Sequence, residues 1–192
     1  MLKILVPTDF SKYSNAALCF AASIVRKKNG EICLLHVLEV PEMSSGFPEN
    51  GEWSINSSDS ASETELISKI MEEARKNMKE LRESPYLEDI NLMDNIEMGE
   101  VEVLVNSAVS RFSADLIILG AHKSSNPFEL FNGSQVEKIV RSSEVPVLTV
   151  KKNYPRNISN IVFASNFDDE IMDIFPKLID FSSARPLKTG PK

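Results

Sequence analysis

The chain is short of the residues on which metal, disulfide and nucleophile chemistry depend. Its 192 residues include two cysteines and two histidines. Cys19 and Cys33 fall in apolar stretches without metal-ligand spacing, so buried free thiols are expected rather than a disulfide. His36 and His122 have no partner at the spacing of a metal site or a triad, and each reads as a structural or surface histidine. No Ser/His/Asp elbow, Cys/His pair or H-E-x-x-H is present. Basic charge is scarce too: 21 Lys and Arg stand against 28 Asp and Glu, a net charge of −7. That balance argues against nucleic acid or an anionic membrane as the main partner. No apolar run approaches the ~18 residues of a membrane span, and the first residues lack the layout of a signal peptide. A reducing cytoplasm is the expected compartment.

What is present is a strong βα rhythm. The stretch from Ala114 to Val150 organises it. Leu116-Ile117-Ile118-Leu119 is a short continuous apolar run, the mark of a strand buried on both faces. Gly120 ends it and permits a close-packed turn. Ser134 and Glu137 have capping-box spacing, which predicts a helix start. Val145-Pro146-Val147-Leu148-Thr149-Val150 is the next strand. A helix N-terminus offers unpaired N–H groups and partial positive charge, and a glycine beside it lets backbone approach a phosphate.

Upstream, Leu2–Val6 reads as a first strand, broken by Pro7-Thr8-Asp9-Phe10-Ser11. Ser11 can cap a helix with Tyr13, Ala16, Ala17, Phe20, Ala21 and Ile24 on its apolar stripe. Lys27-Lys28-Asn29-Gly30 suits its C-terminus, with the glycine as the stop. Ile32–Leu38 is the second strand. Pro41 to Ala61, with Phe47 and Trp53 inside it, is a long polar loop: a surface insertion, or a lid or partner contact. A capping box at Ser62 and Glu65 starts a helix along Leu66, Ile70, Ala74, Met78 and Leu81, which Ser84-Pro85 stops. Its Glu72, Glu73, Arg75, Lys76, Lys79 and Glu80 read as a solvated face. Ile90, Leu92, Ile96 and Met98 alternate as a third strand, suited to a sheet edge, with Asp94 in the apolar register. Val101 to Phe112 is the third helix.

Five strands alternating with four helices imply an α/β fold: a parallel doubly wound sheet with helices on both faces. Gly120-x2-Lys123-x9-Gly133-Ser134 resembles the nucleotide loop of the universal stress protein family, G-x2-G-x9-G-(S/T), with Lys123 in place of the middle glycine. Val6-Pro7-Thr8-Asp9-Phe10-Ser11 and His36-Val37 extend the resemblance over residues 1 to 152. It implies strand order 3-2-1-4-5 and a ligand at the carboxyl ends of strands one and four, where the order reverses. The implied ligand is ATP or a related adenine nucleotide, with Mg²⁺ as its companion. The implied site is Pro7, Thr8, Asp9, Val37, Gly120, Ala121, Lys123, Gly133, Ser134 and Gln135. Asp9 would contact the adenine and ribose side, Pro7 and Val37 would form walls, and the phosphates would run past Gly120, Ala121 and Lys123 to Gly133 and Ser134. Each has a plainer reading: a turn aspartate, core residues, a helix start. Lys123 reads two ways, as a side chain that crowds the loop or as a cation that pairs with phosphate.

The resemblance implies a non-catalytic stress-response module that dimerises symmetrically through the Val147–Val150 edge strand. The alternative is the same fold without nucleotide, acting through contacts. An adenylylating enzyme would need an S-G-G-x-D-S loop after strand one, and a receiver domain an aspartate where Met98-Gly99 stands; neither is here. Beyond residue 152, Asn160–Asp168 mirrors Lys3–Ser11. Residues 153–157 read as a linker, 158–181 as the strand and helix of a partial second repeat, and 182–192 as a disordered tail.

Overall fold

Five strands are observed: β1 Lys3–Pro7, β2 Glu31–Leu38, β3 Asn91–Met98, β4 Leu116–Gly120 and β5 Val147–Val150. They form one parallel sheet in the order β3-β2-β1-β4-β5, as expected. Four helices connect them among the described residues: α1 Lys12–Lys28, α2 Asp59–Arg82, α3 Val101–Phe112 and α4 Gln135–Ser142. The computed structural model describes residues 1–39, 59–121 and 135–151, with α2 side chains from Glu65 onward. The expectations for Phe47 and Trp53, for His122, Lys123, Gly133 and Ser134, and for residues 153–157, 158–181 and 182–192 lie outside the described residues.

The continuous apolar runs become central strands because both their faces are covered. Ile4, Leu5 and Val6 of β1 and Ile117 and Ile118 of β4 are fully buried. Leu5, Leu35, Ile117 and Leu119 pack with Val105, Val109 and Phe112 of α3 and Ile139 of α4. Alternation turns Ile4 and Val6 to the opposite face, where α1 packs on β1 and β4. Each fully buried aliphatic side chain contributes roughly 1.5–3 kcal/mol, so these two layers hold the helices onto the sheet.

Ser11 caps α1 as its position predicts, accepting from the Tyr13 and Ser14 N–H groups. The buried stripe is wider than the sequence period suggests. It adds Ser14, Leu18, Ala22 and Val25, and leaves Tyr13 and Ala16 half-buried, because α1 spans several strands at once. The left-handed residue that ends α1 is Asn29, at φ 52°, not Gly30. Gly30 is needed for space, since a Cβ there would lie 2.5 Å from the Leu2 carbonyl oxygen. Cys33 is buried and Cys19 is half-buried, and both are free thiols.

Two expectations for α2 need correction. The helix opens at Asp59, one turn ahead of the Ser62 capping box, so that box lies inside it. Leu66 and Ile70 are exposed at 57% and 43%, while Ala74, Met78 and Leu81 are buried. Length explains this: 24 helical residues reach about 36 Å and eight strand residues about 26 Å, so the first turns outrun the sheet. The charged face of α2 is exposed, as read. On β3, Asp94 occupies the apolar register without penalty because Arg82, at the end of α2, pairs with it. Among the described residues β3 is a sheet edge, as its composition suggested.

Candidate functional site

The strand order reverses between β1 and β4, and a cleft of about 650 Å³ opens there at the carboxyl ends of the strands. Pro7, Thr8 and Asp9 line it from β1, Val37 from β2, Gly120 and Ala121 from β4, and Gln135 from α4. Sequence reading therefore named seven residues that the fold brings together, from Pro7 to Gln135. It missed Ser14, Val101, Val136 and Lys138, which also face the cleft. Only Ser14 carries a local signal, three residues after the Ser11 cap.

The loop leaving β1 is held from several sides. Thr8 is buried, and its N–H continues the sheet ladder to the Leu35 carbonyl at 2.8 Å. Its hydroxyl donates to Ser14 Oγ at 3.2 Å and accepts the Phe10 N–H at 3.1 Å. Asp9 Oδ1 accepts the Ser11 N–H at 3.0 Å. Partial burial raises the Asp9 pKa, but hydrogen bonds from Ser14 and Ser11 outweigh it, and the net shift is downward. Asp9 therefore faces the cleft as an ionised, acceptor-only group. Phe10 sits in the left-handed region at φ 60°, which costs an aromatic residue about 1–3 kcal/mol.

Gly120 is explained by packing. An added Cβ would lie 2.3 Å from the Tyr13 carbonyl carbon and 2.5 Å from the Ser14 N, which are backbone atoms that cannot turn aside. The carboxyl end of β4 thus touches the first turn of α1 backbone to backbone. The Ala121 N–H is taken by the Val150 carbonyl at 2.9 Å, so Ala121 offers the cleft a wall and not a free amide. On the far side, α4 points its N-terminus, with Gln135 and Glu137 in its first turn, toward the cleft. The Gln135 side-chain amide donates to Glu39 Oε2 at 2.8 Å, tying the helix start to the end of β2. Among the described residues the charged lining is Asp9, Glu137 and Lys138.

A doubly wound parallel sheet with a cleft at its switch point, a carboxylate on one wall and a helix N-terminus on the other, defines an α/β sandwich of the doubly wound class. The sequence profile described as "Universal stress protein family" matches residues 1–151, and the chain belongs to that family. It is 32% identical over 155 residues to the universal stress protein MJ0577 of Methanocaldococcus jannaschii, covering 78% of this chain and 94% of that one. The solved structure of MJ0577 superimposes with a TM-score of 0.63 at 29% identity, covering 80% of this chain and 97% of that chain. A universal stress protein solved in complex with cAMP shares the fold, with a TM-score of 0.50 at 18% identity over 79% of this chain and 98% of that one.

Proposed function

We propose that this chain is a stress-response module that binds ATP or a related adenine nucleotide between β1 and β4, without substantial catalysis, in a reducing cytoplasm. The observation that carries the reading is the ionised Asp9 carboxylate facing the same cleft as the α4 N-terminus. A carboxylate takes donors, such as ribose hydroxyls or an exocyclic amine; a helix N-terminus takes phosphate. The cAMP complex of a protein of this fold supports the same ligand class. Mg²⁺ would enter with the phosphates as its ligands, since no group of three or more His, Cys, Asp or Glu among the described residues is placed to hold an ion.

Calorimetric titration with ATP tests the reading. If Lys123 pairs with phosphate, Lys123→Ala weakens ATP roughly tenfold, a loss of ~1.4 kcal/mol, and leaves adenosine unchanged. If Lys123 crowds the loop, Lys123→Gly strengthens binding. Gly133→Val abolishes binding in both versions. Failure of wild type and Lys123→Gly to bind any nucleotide at millimolar concentration ends the proposal. The second reading, an interaction module without nucleotide, would then hold. Gly120 favours that reading, because its packing on Tyr13 demands glycine with or without a ligand.

We also propose a symmetric homodimer through β5. Among the described residues β5 pairs with β4 alone, and Val147-Leu148-Thr149-Val150 carries no charge to deter a second copy. Light scattering should give a dimer at tens of micromolar and a monomer for Leu148→Pro. A wild-type monomer, or a dimer indifferent to Leu148→Pro, counts against it. The partial repeat at 158–181 remains a proposal carried by its sequence likeness to Lys3–Ser11.

A further inference from the structure

His36 lies near the end of β2, on a strand adjacent to β1, and the ligand reading above gives it no role. Its Nδ1 is 2.7 Å from the Thr8 carbonyl oxygen. A carbonyl only accepts, so Nδ1 carries the proton and donates. The ring of His36 also meets the ring of Phe10, with centroids 4.3 Å apart and planes tilted by 42°. One side chain therefore touches both neighbours of Asp9, residue 8 through its carbonyl and residue 10 through its ring. Phe10 is the residue held in the left-handed region, where glycine would sit without strain. An aromatic side chain in that conformation persists only where its surroundings fix it. Two contacts that fix it are the His36 ring and the Thr8 hydroxyl.

We propose that His36 is a positioning residue: acting on Thr8 and Phe10, it holds the strained loop that sets the Asp9 carboxylate in the cleft. The proposal rests on the adenine-nucleotide reading and adds a residue to it. His36 touches no ligand in this scheme. Its contribution to binding passes through Asp9, because the Asp9 backbone is pinned between its two contacts. A histidine that merely ties β2 to the loop would affect the fold whether or not residue 9 is an aspartate.

A double-mutant cycle read by calorimetry with adenosine 5′-monophosphate separates the two roles. His36→Leu removes the donor and should weaken the monophosphate about tenfold in the wild-type background. In the Asp9→Ala background the same change should cost less than about twofold, since the group it positions is gone. His36→Asn places an amide nitrogen where Nδ1 stood, and should hold affinity within about threefold of wild type. Should His36→Leu fail to fold, Phe10→Gly takes its place: it removes the ring contact and the strain together, so affinity should fall while the melting temperature holds. The role is overturned if His36→Leu costs the same factor in both backgrounds, if it costs nothing, or if His36→Asn loses as much as His36→Leu. It is likewise overturned, where Phe10→Gly is used, by an equal loss in both backgrounds. A wild type that binds no monophosphate brings down the nucleotide reading and this proposal with it. Binding with an additive cycle brings down the role of His36 alone.

Discussion

At the amino end of the sheet, Lys3, Glu31, Asn91 and Asp115 close on one another; at the carboxyl end, Pro7, Thr8 and Asp9 border a cleft. The Lys3 ammonium lies 3.3 Å from Glu31 and donates to the Phe112 carbonyl at 3.1 Å. The Asn91 amide donates to the other Glu31 oxygen at 3.0 Å, and Asp115 accepts the Lys3 N–H at 2.8 Å. These groups pair with one another across the amino end of the sheet. Asp9, by contrast, accepts from its own loop and the start of α1 among the described residues, and its neighbour is strained. The same residue types serve structure where they pair with one another, and under the proposed function they serve recognition where they border the cleft.

The contrast predicts that stability and binding respond separately at the two ends, with one exception. Gly120 lies at the open end yet belongs to the core, because β4 and α1 meet there backbone to backbone. Gly120→Val should therefore show the largest effect, a loss of at least ~3 kcal/mol in unfolding free energy, with binding lost alongside it. Chemical denaturation measures this. A variant that stays as stable as wild type would place the cleft wall outside the core.

The closed end should give the next largest effect. Glu31→Ala removes the shared acceptor of Lys3 and Asn91 at a buried position, at a cost of about 2 kcal/mol. The melting temperature should drop by several degrees, while adenosine monophosphate affinity stays within about twofold. Equal losses in both readouts would show that the two ends are one cooperative polar system.

Much of this division was legible in the sequence, for identifiable reasons. Buried strands announce themselves as apolar runs, and Ser11 announces its helix by its own side chain. Asp9, Val37 and Gly120 followed from the family pattern, which fixes residues that the topology gathers. The misreadings are tertiary. Leu66 and Ile70 have helical spacing but no sheet beneath them. Asp94 looked out of place because Arg82, twelve residues earlier, supplies its charge partner from another element. His36 was legible as part of the family pattern and as a structural histidine, but its contacts were not: its acceptor is a backbone carbonyl 28 residues away, and its ring partner is an aromatic in a conformation that spacing cannot reveal. The Gln135–Glu39 contact, 96 residues apart, is invisible for the same reason.

The smallest effect concerns pH and belongs to the open end. Burial alone would raise the Asp9 pKa, yet the hydrogen bonds from Ser14 and Ser11 hold it below its ordinary value of 3.8. A carboxylate depressed in the folded state adds stability that is fully present above the unfolded pKa. That stability is lost as pH falls through the folded value, so the window lies below about pH 3.8. Asp9 is exposed, and solvent screening keeps the contribution small, well under ~1 kcal/mol. Asp9→Asn isolates it. The difference in unfolding free energy between wild type and Asp9→Asn should be constant from pH 7 to 5 and should shrink as acid is added below 3.8. Asp9 would remain ionised throughout the neutral range, so nucleotide affinity should show no Asp9-dependent change between pH 5 and 8. A stability difference that grows on acidification would mean that burial outweighs the loop's hydrogen bonds. The carboxylate would then be a strained group at the cleft rather than one its own loop has stabilised for an incoming donor.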